Sequence, residues 1–273
     1  MMTIGIDIGG STTKIIGIRS GKIVKPITVE ANDPVASASG ALGKFLNENK
    51  IGFGDIEKLM VTGVGASFLG ESLLGLPIKK LDEFRAIGSG GLFLSGLKKA
   101  VIVSMGTGTA YVKAHGTCIK HLGGTGVGGG TITGLSKIMA NISNVDNILE
   151  AAEQGRLRNV DLSVGDISPS DIGMLPSSIT ASNFGKLNDQ ANKNDLCRGI
   201  LNMVFQVVGM MAIFAARTEN DNDIVLTGKL VDTPIAKKTF RSLEKMYRVK
   251  FHLPEHAAYC TAIGAAINDT SGL

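Results

Sequence analysis

The chain has 273 residues, of which 44% are hydrophobic and 19% are charged, and this composition excludes a disordered polypeptide. Its net charge of +4 comes from basic residues that are scattered rather than striped along the sequence, so the charge gives no reason to expect nucleic-acid binding. A chain of this length is too long for one small core, and two domains are expected.

The cysteines and the apolar runs indicate the compartment. Cys118, Cys197 and Cys260 show no CxxC spacing, which argues against a disulfide framework or a zinc site and favours buried thiols in a reducing cytoplasm. The N-terminus lacks the pattern of a signal peptide, and no apolar run approaches the roughly twenty residues of a membrane span. We therefore expect a cytoplasmic protein without a membrane partner.

The first predicted element is a β-hairpin over Ile4–Ile18 with a glycine turn. An apolar strand leads into Asp7, and the β-branched residues after Lys14 predict a second strand rather than the helix of a Walker-type loop. Glycines at the turn let backbone N–H groups approach oxyanions, and hydroxyls and an ammonium group add donors. Asp7 is suited to hydrated Mg²⁺. The turn residues that predict a phosphate site are Gly9, Gly10, Ser11, Thr12, Thr13 and Lys14.

The next elements complete an α/β domain that we place at residues 1–98. Asp33 and Pro34 are typical of a helix start, and apolar residues at helical spacing continue to Asn49. A strand ending at Thr62 is followed by glycines and a predicted helix to about Leu74. A brief strand then leads to a helix that begins near Glu83.

The pattern restarts in the second half, which we place at residues 99–273. A buried strand over 100–105 ends in Gly106-Thr107-Gly108-Thr109 and a return strand follows, which predicts a second phosphate hairpin facing the first across a cleft. Residues 123–130 then contain six glycines in eight positions. A helix starting near Thr131 would put its N-terminal amides beside this loop as a nucleotide seat.

The remaining chain predicts a polar excursion over 161–176, a loop over 180–186 and a long apolar helix over 195–218. A strand ending in Thr227-Gly228 and a closing helix over 259–266 follow, and the small residues of that helix permit close packing against a sheet or a helix.

The segment order resembles the actin-like ATPase superfamily, which includes sugar kinases and heat-shock chaperones. Four motifs in order resemble, more narrowly, the type II pantothenate kinases: Asp82-Glu83-Phe84-x-Ala86, Gly106-Thr107-Gly108-Thr109, the run 122–130, and Ala181-Ser182-Asn183-Phe184-Gly185. The resemblance covers essentially the whole chain. It implies two actin-like ATPase (ribonuclease H-like) domains with a nucleotide cleft between them, and ATP-dependent phosphorylation of the pantothenate hydroxyl, the first step toward coenzyme A.

The resemblance also implies roles for single residues. Glu83 is the expected general base, since a carboxylate at a helix start beside the cleft can take a hydroxyl proton; Asp7, the other candidate base, is assigned to Mg²⁺. The residues expected to bind ATP are Gly9, Gly10, Ser11, Thr12, Lys14, Gly106, Thr107, Gly108, Gly126, Gly128, Gly129, Gly130 and Gly228. The residues expected to bind the substrate are Glu83, Thr107, Thr109 and His121.

Two positions depart from the family pattern, in which Ala110 would be a serine and His121 an arginine. Histidine loses the permanent charge and the bidentate fork of arginine, and alanine removes a donor. A kinase of a sugar or another hydroxy acid therefore stays open, and so does an ATPase that works by domain closure without transfer. The long helix over 195–218 carries too many large apolar residues for one covered face, and since the family is dimeric, a homodimer is expected.

Overall fold

The computed structural model describes residues 1–30, 33–168 and 176–268. In the first half the elements are β1 (Met2–Ile8), β2 (Thr12–Arg19), β3 (Lys22–Glu30), α1 (Pro34–Asn49), β4 (Ile56–Thr62), β5 (Ser72–Leu73), β6 (Leu76–Lys80) and α2 (Glu83–Ser95). In the second half they are β7 (Lys99–Met105), β8 (Thr109–His115), β9 (Cys118–Thr125), α3 (Gly129–Ala140), α4 (Val145–Gln154), β10 (Leu162–Ser163), α5 (Val164–Ile167), β11 (Thr180–Ser182), α6 (Lys193–Thr218), β12 (Asp223–Thr227), α7 (Pro234–Tyr247), β13 (Lys250–His252) and α8 (Cys260–Ile267).

The described strands form two main sheets with one scheme. The first has the order β3-β2-β1-β4-β6-β5, and the second has the order β13-β12-β7-β8-β9. In each sheet three strands form an antiparallel meander. The further strands β4 and β6 in the first sheet, and β12 and β13 in the second, lie parallel to the first strand of the meander, whereas β5 pairs antiparallel with β6. The predicted α/β class is therefore correct, and the two predicted hairpins are β1–β2 and β7–β8.

Two helices pack on the sheet from the other side of the predicted boundary between residues 98 and 99, whereas each main sheet contains strands from one side only. α8, at the end of the chain, packs on β1 and β2 of the first sheet, whereas α2 packs on β7, β8 and β9 of the second. The two helices also pack against each other. The division into residues 1–98 and 99–273 stays a prediction, and the end of that range, residues 269–273, lies outside the described residues.

Three local predictions differ from the structure. After Gly63 the chain forms a short 3₁₀ helix (Val64–Phe68) and then β5, because the backbone is already extended at Leu69, with φ −83° and ψ 145°. The segment 180–186 begins with β11, which pairs with β10, rather than being a loop throughout. Of the predicted excursion over 161–176, residues 169–175 lie outside the described residues.

α6 is the central helix of the second half. It has the length and apolar composition to cross a membrane, but 61% of its most apolar window is buried inside the fold. Leu201, Phe205 and Val208 lie in one cluster with residues of β7, β12 and α7. Its composition is therefore that of a core helix, and the expectation that no apolar run approaches the length of a membrane span does not hold for α6.

Candidate active site

A cleft of about 460 Å³ opens between the two sheets where the hairpin turns face each other. The predicted site residues that line it are Asp7, Gly9, Gly10, Ser11, Thr12, Lys14, Glu83, Gly106, Thr107, Gly108, Thr109 and Gly228. Six predicted site residues are not among the lining residues: Thr13, His121, Gly126, Gly128, Gly129 and Gly130.

The two turns meet directly across the cleft. The Ser11 and Thr107 hydroxyl oxygens lie 2.9 Å apart, within hydrogen-bond distance. Each turn is closed by its own backbone: Gly9 N–H donates to the Thr12 carbonyl at 3.0 Å, and Gly106 N–H donates to the Gly108 carbonyl at 2.8 Å. Two rigid, glycine-lined turns therefore present backbone and hydroxyl groups to one space, which is a suitable arrangement for a polyphosphate.

Thr13, predicted with its neighbours to face phosphate, lies elsewhere. Its side chain is fully buried, and it pairs with Ile8 on the adjacent strand. Because side chains alternate along a strand, Thr12 and Lys14 face the cleft side while Thr13 faces the core under α1. Its prediction as a phosphate donor is wrong for this reason.

Asp7 lies at the base of the cleft and is only 7% exposed. Burial raises the pKa of its carboxyl group, and the nearby Lys14 ammonium lowers it in part. The Lys14 Nζ is 3.9 Å from Asp7 Oδ2, and no hydrogen bond to the carboxylate occurs among residues 1–30, 33–168 and 176–268. Carboxylate oxygens without hydrogen-bond donors at the base of an open cleft fit Mg²⁺, which commonly takes one or two carboxylates and keeps several waters.

The residues that the structure describes contain no cluster of three or more histidine, cysteine, aspartate or glutamate side chains that could enclose a metal. A metal at Asp7 would therefore depend on water and a bound phosphate for most of its ligands. This is how Mg²⁺ is generally held at nucleotide sites.

Glu83 is the first residue of α2 and lies half-buried in the cleft wall. The helix cap is provided by its neighbour, since Asp82 accepts a hydrogen bond from Arg85 N–H at 2.9 Å, so the Glu83 carboxylate is not used as a cap. Burial raises the pKa of Glu83, the negative charges of Asp7 and Asp82 raise it further, and Lys14 opposes them. A carboxylate made more basic in this way is suited to accept a proton.

The glycine-rich run 123–130 packs against the second turn and donates hydrogen bonds to it. Gly129 N–H donates to the Gly106 carbonyl at 2.9 Å, and Gly130 N–H donates to the Thr107 carbonyl at 2.8 Å. A Cβ at Gly128 would lie 2.7 Å from the Thr107 carbonyl oxygen, so the close packing needs glycine. The first amides of α3 therefore hold protein carbonyls, and the nucleotide role of these glycines stays a prediction.

Threonine side chains and a glycine stabilise the wall of the cleft that the second sheet forms. The Thr109 hydroxyl donates to the Val127 carbonyl at 2.8 Å, and the Thr227 hydroxyl donates to the Val103 carbonyl at 3.0 Å. Gly228 has φ +113°, and a Cβ there would lie 2.1 Å from the Met105 carbonyl oxygen. Only glycine combines this conformation with this contact.

His121 lies on the rim beyond the cleft lining. It is exposed, and its ring stacks on Phe84 with centroids 3.8 Å apart and an interplanar angle of 13°. Phe84 itself lines the cleft beside Glu83. The structure thus links His121 to the predicted base through one aromatic contact.

Several lining residues were absent from the sequence prediction. Ala257, Ala258 and Thr261 reach the cleft from α8 and the 3₁₀ turn before it. Their small size resembles ordinary helix-packing residues, and no local motif distinguishes them. Only the packing of α8 on the first sheet brings them to the site.

Solved structures with this architecture define the class of fold. The activator of the 2-hydroxyisocaproyl-CoA dehydratase from Clostridium difficile with bound ADPNP matches with a TM-score of 0.70 and 18% identity, over 97% of this chain and 93% of that one. A ROK family glucokinase from Streptomyces griseus in complex with glucose and AMPPNP matches with a TM-score of 0.61 and 13% identity, over 97% and 98% of the two chains. The fold is that of the actin-like ATPases.

Sequence comparison gives the family within this class. The Fumble family model matches residues 99–268. The type II pantothenate kinase of Bacillus anthracis is 30% identical over 259 residues, which cover 91% of this chain and 90% of the relative. The type II pantothenate kinase of Bacillus thuringiensis subsp. konkukian is 30% identical over 98% of each chain. The chain belongs to the Fumble family.

Proposed function

We propose that this protein is an ATP-dependent kinase that phosphorylates the hydroxyl of pantothenate, the first step of coenzyme A biosynthesis. Its family membership supports the substrate, since relatives at 30% identity are type II pantothenate kinases. The observation that carries the chemistry is Glu83, a half-buried carboxylate of raised pKa in the cleft that the two glycine turns line.

In the proposed reaction the acceptor hydroxyl oxygen forms a bond to the γ-phosphorus of ATP as the bond from that phosphorus to the ADP oxygen breaks. Glu83 takes the hydroxyl proton, which increases the nucleophilicity of the oxygen as the phosphoryl group is transferred. The turn residues Ser11 and Thr107 and the Lys14 ammonium bind and orient the phosphates.

Asp7 would hold Mg²⁺, which neutralises developing charge on the phosphate oxygens when it is bound. The carboxylate has the burial and the unused oxygen atoms for this role. Lys14 would then face both the carboxylate and the phosphates, and its positive charge limits the repulsion between them.

A coupled assay of ADP release tests the proposal with ATP and a panel of acceptors. We expect ADP release to rise sharply with pantothenate, less with pantetheine, and not with glucose or glycerate. A sharp rise with a sugar or another hydroxy acid would keep the kinase and change its acceptor. Equal ATP hydrolysis with every acceptor and with none would contradict a kinase and indicate an ATPase.

A further inference from the structure

Buried hydroxyl groups without hydrogen-bond partners lie close to the proposed metal site. Among the described residues, the side-chain oxygens of Thr13 and Thr62 are buried and have no hydrogen-bond partner. Thr13 and Thr62 belong to the first sheet, and both are fully buried. A buried hydroxyl that makes no hydrogen bond destabilises a fold, whereas valine has the same shape without this cost.

Strand register places these two threonines on opposite faces of the sheet. Asp7 pairs with Thr62 on β4 and with Lys14 on β2, so the three side chains form one row across the sheet. Two positions earlier, Gly5 and Met60 both face α8, since a Cβ at Gly5 would meet the Ala262 carbonyl and Met60 packs with Ala265. Thr62 therefore lies on the same face as the Asp7 carboxylate.

Thr13 faces the other way, with Ile15, toward α1. Its register partner is Ile8, an apolar residue. It therefore has the same burial and the same lack of a partner as Thr62 but does not belong to the row that contains Asp7.

The end of β4 also approaches the carboxylate closely. A Cβ at Gly63 would lie 2.6 Å from Asp7 Oδ1, so the chain next to Thr62 is in contact with the group that lacks donors. An unused hydroxyl donor and an unused carboxylate acceptor thus lie on neighbouring strands, on one face, at the base of the cleft.

From this juxtaposition we propose that Thr62 is a positioning residue for Asp7: its hydroxyl, which has no partner here, turns to donate to the carboxylate when the metal is bound and fixes the oxygen presented to the metal. The inference rests on the proposed assignment of Asp7 to Mg²⁺. Partners of this kind set the orientation of a metal-ligating carboxylate, and their removal typically weakens metal binding by about 10- to 100-fold.

The test measures ADP affinity by calorimetry, once in EDTA and once in saturating Mg²⁺, on the full chain. In Thr62→Val the strengthening of ADP binding by Mg²⁺ should fall about tenfold, while the affinity in EDTA stays as in the unchanged protein. Thr62→Ser retains the hydroxyl and should restore the effect of Mg²⁺. Thr13→Val is the matched control and should change neither affinity.

The Asp7→Asn variant separates this inference from the proposed function. If Asp7→Asn abolishes the effect of Mg²⁺ and Thr62→Val leaves it intact, the role of Thr62 is overturned while the metal site stands. If Asp7→Asn itself retains the full effect, the metal assignment fails and the inference fails with it.

A measurement on the unsubstituted protein covers the case in which Thr62→Val does not fold. With threonine methyl groups labelled for NMR, the Thr62 signal should shift when Mg²⁺ is added to the ADP complex, and the Thr13 signal should not. A Thr62 methyl signal whose chemical shift does not change when Mg²⁺ is added would overturn the proposal.

Discussion

Glu83 and its neighbours decide the chemistry at the scale of single residues. Burial raises the pKa of this carboxyl group, and the negative charges of Asp7 and Asp82 raise it further. Asp82 caps the helix, so the Glu83 carboxylate does not act as the cap. Replacement by glutamine keeps the shape and removes the base. For Glu83→Gln we expect kcat with pantothenate to fall by about 10²- to 10⁴-fold, with ADP affinity changed less than about twofold.

The matched control is Glu48→Gln, which removes an exposed carboxylate on α1. It should leave both kcat and ADP affinity unchanged. Transfer activity of Glu83→Gln close to that of the unchanged protein would exclude Glu83 as the base.

The raised pKa of Glu83 also predicts a pH dependence. A base must be ionised to act, and a group whose pKa is raised stays protonated to a higher pH than an ordinary glutamate, whose value is 4.5. We therefore expect kcat/KM for pantothenate to fall as pH decreases through a value above 4.5, measured in a buffer series at constant ionic strength. An acid limb at or below 4.5 would contradict this environment for the base.

At the scale of elements, the crossing of α2 and α8 fixes the position of the site. A Cβ at Gly264 would lie 1.8 Å from the Ala86 carbonyl oxygen, and a Cβ at Gly90 would lie 2.1 Å from the Cys260 carbonyl oxygen. The helices touch through their backbones, so neither side can yield to an added methyl group. α2 carries Glu83 in its first turn, and α8 begins beside the cleft.

Gly264→Ala should therefore lower the free energy of unfolding by about 3 kcal/mol, since overpacking in a core costs typically 1–3 kcal/mol and backbone cannot relax as a side chain can. Gly40→Ala is the control, because Gly40 lies within α1 and an added Cβ would meet nothing within 4 Å. That variant should gain about 0.5–1 kcal/mol from helix propensity. Urea unfolding measures the free energy of unfolding of both variants. Equal changes in the two would refute the close backbone contact between α2 and α8.

A second element-level prediction concerns the start of α6. Asp195 is buried and accepts hydrogen bonds from Arg156 N–H at 2.6 Å and from the Asn159 side chain at 3.0 Å. Burial acts to raise the pKa of Asp195, but the hydrogen bonds from Asn159, Arg156 and Asn192 together lower it. A lowered pKa in the folded state means that the ionised group stabilises the fold above its unfolded pKa of about 3.9.

Asp195→Ala should lower the free energy of unfolding at pH 7 by about 2–4 kcal/mol, because buried donors lose their acceptor. The difference from the unchanged protein should shrink as pH falls through the lowered pKa of the folded state, since protonation then removes the same interaction. Urea titrations between pH 7 and pH 3 measure this, and a difference that does not depend on pH would show that the charge is irrelevant.

At the scale of the whole molecule, α6 carries the surface on which we expect a second copy to dock. Met211 and Phe214 are 37% and 56% exposed, and the partly buried Met203, Val207 and Met210 lie at spacings of four and three residues along the same helix. This spacing is typical of a seam between two helices. We predict a homodimer that buries this face.

Phe214→Asp should convert a dimer mass into a monomer mass in light scattering at micromolar concentration, because an isolated carboxylate would be buried at the interface. Phe53→Asp is the control, since Phe53 is similarly exposed, at 50%, but lies in the first half of the chain. A monomer mass for the unchanged protein would refute the prediction outright.

The sequence by itself determined the elements whose signals are local. Strand-forming residues and glycine turns predicted the hairpins β1–β2 and β7–β8, and Asp33-Pro34 predicted the start of α1, whose cap the structure shows. Such signals depend on backbone geometry and hydrogen bonds within a few residues, so they are written in short stretches of sequence.

Only the tertiary structure decided which surfaces meet. α2 packs on the second sheet and α8 packs on the first. The amides of Gly129 and Gly130 donate to protein carbonyls. Thr62 lies beside Asp7, whereas Thr13 faces α1. Each outcome depends on contacts between residues far apart in the chain. Periodicity specifies that an element has a buried face, but the partner for that face is selected by the packing of the whole molecule.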